Sequence, residues 1–226
     1  PFLLGLVSFC AGAQVSVQEY PLPPRITAHD VWADPAPGGP VWFSGQTSGN
    51  AGRLDPKTGK VELIPLGSGS SPHGVILDRD ASAWFTDSGQ NAIVRVDAKT
   101  LEVKKWPLPK DTGYANLNTA IFDNAGIHWF TGQSGYYGRL DPKSGDLKVY
   151  DAPKGRGPYG IHATPDGTVY FASLAGSYIG RIDAASHKVQ VIEPPTPNQG
   201  ARRVWSDSKG MVWVAEWNSG NLSRYD

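Results

Sequence analysis

Sulfur is nearly absent from this chain: its 226 residues include one cysteine, Cys10, and one methionine. Beyond residue 10, that excludes a disulfide framework, a thiolate metal site and a cysteine nucleophile. An excess of either charge is also lacking, since 21 Lys and Arg balance 21 Asp and Glu. No global field then draws the protein to nucleic acid or to an anionic membrane surface. Nor is there an apolar run near the roughly 20 residues that a membrane-spanning helix needs. The apolar stretch at residues 2–10 is too short, and Ala11-Gly12-Ala13 follows it, the small-residue pattern cut by signal peptidase. An export signal is therefore expected over residues 1–13, with a mature chain from Gln14 in the periplasm or secreted. A sustained 3.6-residue period is missing too, which argues against a solenoid of helices.

What the chain does contain is 27 glycines, 19 prolines and eight tryptophans, the composition of short strands, frequent turns and large aromatic fillers. Aromatic pairs recur at Trp42-Phe43, Trp84-Phe85, Trp129-Phe130, Tyr170-Phe171 and Trp213-Val214, spaced by 42, 45, 41 and 43 residues. A second series keeps step with them: Arg53-Leu54-Asp55, Arg95-Val96-Asp97, Arg139-Leu140-Asp141, Arg181-Ile182-Asp183 and Arg224-Tyr225-Asp226. Alternating segments running toward proline, such as "VELIPL" and "VKKWPLP", close most units. Four short strands in each unit of about 40–45 residues is the signature of a β-propeller blade. One such sheet cannot bury both faces alone, whereas neighbours stacked around an axis can.

The expected fold is thus all-β, a β-propeller of four-stranded blades occupying residues 14–226, with five blades visible. "VSVQEYPLPP" at residues 15–24 reads as a closing strand without a blade of its own, and the fifth unit stops after its third strand. Both features suggest a piece of a ring of about seven blades, incomplete at its C-terminus.

The loop entering each innermost strand should face the axis. Eleven residues before each aromatic pair stand His73, Asn118, Tyr159 and Arg202, and His29 takes that place in the first unit after allowance for an insertion. These polar positions sit beside an apolar column, Val31, Val75, Ala120, Ile161 and Val204, as expected of a ligand-lined channel over a dry core. Just beyond the aromatic pairs, Asp87 and Glu216 offer carboxylates suited to a hard cation. Trp217 offers a stacking platform, and one of Arg202 and Arg203 is expected to pair with an acid such as Glu216. His73 alternatively does no more than fill a turn at the channel mouth.

Pro72-His73-Gly74-Val75, Trp84-Phe85-Thr86-Asp87, Pro158-Tyr159-Gly160-Ile161, Ile179-Gly180-Arg181-Ile182-Asp183 and Trp106-Pro107-Leu108-Pro109 together resemble the virginiamycin B lyase (streptogramin lyase) family. The resemblance implies a seven-bladed propeller and a carbon–oxygen lyase of antibiotic resistance. In that chemistry a histidine removes the acidic proton next to an ester carbonyl, Mg²⁺ stabilises the developing charge, and a cyclic depsipeptide opens as a carboxylate leaves. His73 matches the family's base within Pro-His-Gly, and Asp87 lies near its second acid. Ser71 stands where the motif carries a glutamate, and the family draws its base and metal ligands from the last blades, not the second.

Three readings stay open: a lyase-like enzyme, a gluconolactonase-type metal-dependent hydrolase using Asn118 and Glu216, and a non-catalytic ligand- or protein-binding propeller. In each, the expected partner is a small molecule or cyclic peptide in the axial channel of a monomer, with His29, Asn118, Tyr159, Arg202 and Trp217 contacting it.

Overall fold

A computed structural model describes residues 16–226; the expected export signal at residues 1–13 lies outside them. Nineteen strands form five antiparallel sheets, each in simple sequence order. The first holds β1 (Val31–Ala33), β2 (Val41–Gly45), β3 (Asn50–Leu54) and β4 (Val61–Pro65). The second holds β5 (Pro72–Leu77), β6 (Ala83–Asp87), β7 (Ala92–Val96) and β8 (Val103–Pro107). The third is built from β9 (Leu117–Phe122), β10 (His128–Gly132), β11 (Tyr136–Leu140) and β12 (Leu147–Asp151). The fourth follows with β13 (Pro158–Ala163), β14 (Val169–Ser173), β15 (Tyr178–Ile182) and β16 (Val189–Ile192). The fifth has three strands, β17 (Ala201–Ser206), β18 (Val212–Glu216) and β19 (Leu222–Tyr225). Residues 16–30 join no sheet, and Tyr20 instead donates its hydroxyl to the Pro56 carbonyl on the first blade, at 2.9 Å. Pro21, Pro23 and Pro24 lack the N–H that a paired strand requires.

The paired aromatics explain how the blades stack. Neighbours along a strand point to opposite faces, so the tryptophan of one blade and the phenylalanine of the next enter the same layer. Trp-to-Phe packing of this kind joins Trp42 with Phe85, Trp84 with Phe130 and Trp129 with Phe171. Burying each such ring contributes on the order of 1.5–3 kcal/mol. Three of the tryptophans are also anchored at their polar edge, whereas the indole N–H of Trp42 has no partner. The indoles of Trp84, Trp129 and Trp213 donate to Asp78, Asp123 and Asp207, each six residues earlier, at 2.8, 2.8 and 3.1 Å.

The first strand of each blade packs against the first strand of the next, which makes β1, β5, β9, β13 and β17 the inner ring. Their register against the second strands slips between Pro72 and Val75, Leu117 and Ala120, Pro158 and Ile161, and Ala201 and Arg203. A bulge of this kind re-aims side chains, and it falls on His73, Asn118, Tyr159 and Arg202. In the first blade the equivalent bonds are His29 N to Ser44 O and Asp30 N to Ser44 Oγ, at 2.9 and 3.0 Å. His29 therefore holds the place that the spacing assigned it.

Candidate functional site

Three of the bulges are tied to the preceding blade by a hydroxyl. Ser44 Oγ donates to the His73 carbonyl at 2.6 Å, Thr86 Oγ1 to that of Asn118, and Thr131 Oγ1 to that of Tyr159. Thr86 also accepts from the Gly74 amide at 2.9 Å. Position 172 in the fourth blade is alanine, so the series stops before Arg202. Glycine at 74 serves the same close approach: a Cβ there would lie 2.7 Å from the Asn118 carbonyl oxygen. The Pro-His-Gly motif thus owes its glycine to packing between blades.

On this scaffold six of the sequence-derived positions form one continuous cluster. Asn118 Nδ2 lies 3.1 Å from His73 Nε2. The His29 and His73 rings lie 4.3 Å apart, and Tyr159 meets His73 edge-on at 6.5 Å. Arg202 donates to the Tyr159 hydroxyl at 3.2 Å, and its guanidinium lies 4.3 Å from the ring of Trp217, which is 65% exposed. Two residues that the spacing did not single out complete the group. Asp30 contacts His29 Nδ1 at 3.1 Å, and the Arg203 guanidinium lies 5.4 Å from the Tyr159 ring. The clue to Asp30 was its place directly after the axial His29, where the bulge turns both residues inward.

His73 is 6% exposed and its Nδ1 has no hydrogen-bond partner. Burial pushes its pKa down to about 4; Asp30 opposes this, while His29 and Arg203 deepen it. The ring is accordingly neutral at pH 7. Next to the cluster, the inner strands surround a cavity of about 500 Å³ whose lining includes the apolar column Val31, Val75, Ala120, Ile161 and Val204, with Asp30 and Arg203.

The two carboxylates expected to hold a metal stand apart from this cluster. Asp87, fully buried, accepts from Ser70 Oγ, from the amides of Ser71 and Gln90 at 2.9 and 3.0 Å, and from Gln90 Nε2 at 2.7 Å. Four donors leave it a turn-binding role inside its own blade. Glu216 sits at the matching position three blades on and accepts from Ser219 Oγ, at 2.6 Å, and Ser223 Oγ. Burial raises its pKa, and the bonds from Ser219, Ser223 and Asn221 outweigh that, leaving it below the usual carboxylate value. The expected ion pair between Glu216 and an arginine is replaced by these hydroxyls, and both arginines lie over aromatic rings instead. Mg²⁺ demands hard oxygen ligands in near-octahedral array, and Asp87, saturated by four donors, and Glu216, bonded to two hydroxyls in a blade three further on, do not fit one.

Five blades around an axis, with a buried histidine and stacked cations at the starts of the inner strands, define a β-propeller with an axial polar cluster. The chain belongs to the virginiamycin B lyase family, which it matches over residues 10–226. None of the curated proteins matches it. Among solved structures, it resembles a catalytically inactive histidine-to-alanine variant of virginiamycin B lyase from Staphylococcus aureus with quinupristin. The identity is 24%, the TM-score 0.84, and the match covers 95% of this chain and 72% of that one. Selenomethionine-substituted virginiamycin B lyase from Staphylococcus aureus matches at 25% identity and TM-score 0.79, over 93% of this chain and 73% of its own. At 19% identity, the calcium-binding protein regucalcin from Agrobacterium tumefaciens shares the fold, with TM-score 0.65, over 89% of this chain and 71% of that one. No helix among the described residues is long and apolar enough to cross a membrane.

Proposed function

We propose that this chain is an exported lyase-like propeller that opens a cyclic depsipeptide ester by elimination, with His73 as the base. The observation that carries the reading is the buried, neutral His73 whose Nδ1 has no partner, set within the Tyr159–Arg202–Trp217 stack. In the step, the proton on the carbon next to the one bearing the ester's alkyl oxygen, made acidic by an adjoining amide carbonyl, moves to His73. Its electron pair becomes a carbon–carbon double bond, the carbon–oxygen bond breaks, and the carboxylate leaves with that bond's electrons. Arg203, whose charge acts on His73, stabilises negative charge developing on the substrate carbonyl. Trp217 and Arg202 would hold an aromatic group of the ligand. The Staphylococcus aureus relative, in which a histidine-to-alanine change abolishes catalysis, lends support. Export rests on residues 2–13, an apolar stretch ending in Ala11-Gly12-Ala13. No step is routed through Mg²⁺, because the residues present do not fit it.

A second reading, an exported propeller that binds such a ligand without cleaving it, is favoured by the full hydrogen-bond saturation of Asp87. Incubation of the purified protein with quinupristin, followed by chromatography and mass spectrometry, separates the readings. Elimination gives a linear product of unchanged mass, and hydrolysis adds the mass of water. Binding without a product supports the second reading. Turnover that survives His73→Ala removes His73 as the base.

A further inference from the structure

The axial cluster contains a ligand set that shares His73 with the elimination chemistry and adds two residues, His29 and Asp30, that the elimination does not use. A nitrogen of His29, a carboxylate oxygen of Asp30 and a nitrogen of His73 all lie within 4.8 Å of one another. We infer that His29, Asp30 and His73 form a site for a divalent transition metal of the zinc type. It lies at the axis between the first two blades.

Three observations converge on it. Zinc binds imidazole nitrogen and carboxylate oxygen at about 2.0–2.2 Å, which places tetrahedral ligands about 3.3 Å apart. The His29 Nδ1–Asp30 Oδ1 separation of 3.1 Å already meets that spacing, and the His73 ring stands 4.3 Å from the His29 ring. Secondly, His73 is 6% exposed and its Nδ1 has no partner in the protein, an uncompensated buried polar atom that a metal would satisfy. Thirdly, the other ring nitrogen of His73 faces the Asn118 side-chain amide at 3.1 Å, and Asn118 Oδ1 also lacks a partner. The oxygen and nitrogen of an amide are assigned from their hydrogen bonds. With the amide turned over, Oδ1 accepts from Nε2–H and leaves the Nδ1 lone pair free, the outer-shell arrangement that metal-binding histidines use.

Two imidazoles and one carboxylate suit zinc, cobalt or nickel, whereas magnesium and calcium require more oxygen ligands. Three protein ligands leave a fourth position for water or a ligand atom, and His29 and Asp30 also line the cavity. Arg203 opposes the cation, so it limits affinity. Because the ion takes the His73 lone pair, the zinc-loaded protein cannot use that residue as a base. Metal binding and depsipeptide opening are therefore alternative states of one site.

The test is a titration of the chelator-stripped full chain with Zn²⁺, followed by calorimetry, and with Co²⁺, followed by its visible absorption bands. A single tight equivalent of Zn²⁺ is expected, with tetrahedral Co²⁺ bands and no competition from millimolar Mg²⁺. His29→Gln, at a partly exposed position that the fold tolerates, should abolish the tight equivalent. Asn118→Ala should weaken it about 10–100-fold. His187→Gln, a histidine in the fourth blade, should leave it unchanged. Retention of the tight equivalent in a folded His29→Gln, His73→Ala double variant would overturn the inference, as would competition by Mg²⁺ at equal concentration. Binding is read directly, so a protein that takes zinc but opens no depsipeptide leaves this inference standing and sinks only the lyase reading.

Discussion

Asn118 and His73 stand 45 residues apart in sequence, yet the asparagine amide lies 3.1 Å from Nε2 of the histidine. They occupy equivalent bulges of neighbouring blades, which is what brings the amide of one to the imidazole of the other. A carboxylate in place of the amide would favour the imidazolium. Asn118→Asp should raise the His73 pKa from about 4 by about 1–3 units, measured by NMR titration of the ring C–H signals. An unmoved titration would mean that the two side chains do not meet in solution.

Thr86 joins two blades with one hydroxyl, accepting from the Gly74 amide and donating to the Asn118 carbonyl. Thr86→Val keeps the shape and strands both buried groups. Urea unfolding should show a loss of about 1–3 kcal/mol, and the same change at an exposed threonine such as Thr100 should cost far less.

Asp87 organises the turn of its blade by accepting four hydrogen bonds. Asp87→Asn turns one acceptor oxygen into a donor facing donors, so thermal stability should drop markedly. Zinc stoichiometry should stay unchanged at a temperature where the variant remains folded. Parallel loss of a bound metal in the folded variant would restore Asp87 as a ligand.

His128 is fully buried against Trp84, Phe122 and Phe130, with no partner for either ring nitrogen. Burial lowers its pKa to about 3, against 6.5 for a free histidine. The unfolded chain therefore takes up a proton that the folded one refuses. The stabilisation is intact above pH 6.5 and is lost as pH falls toward 3, by up to about 1.4 kcal/mol per pH unit. His73 adds to the loss over the upper part of that window. Denaturant titrations at stepped pH should show the decline, and His128→Leu should flatten it.

The blades were legible because Trp-Phe pairs and Arg-x-Asp strands recur with the period of the fold, and the axial column was legible because it keeps the same phase. Asp30 escaped because only the bulge, a backbone irregularity, brings it to the axis beside the predicted residues; Arg203 was named only as an alternative partner for an acid, and it lies over the Tyr159 ring instead. Asp87 looked like a ligand because sequence records a carboxylate but not the four donors that converge on it. A further regularity was present and unread: Asp78, Asp123 and Asp207 each precede their tryptophan by six residues. Each secures that indole at the edge of the blade.

The run of hydroxyl ties ends at Ala172, where the fourth blade has nothing to offer the Arg202 carbonyl. Under a pulling force applied at the chain ends, the seam between the fourth and fifth blades lacks the buried hydroxyl-to-carbonyl tie of the three earlier seams and keeps at the axis the bond from the Arg202 guanidinium to the Tyr159 hydroxyl. Rupture should begin there, peeling the last three strands away while the histidine pair between the first two blades stays intact.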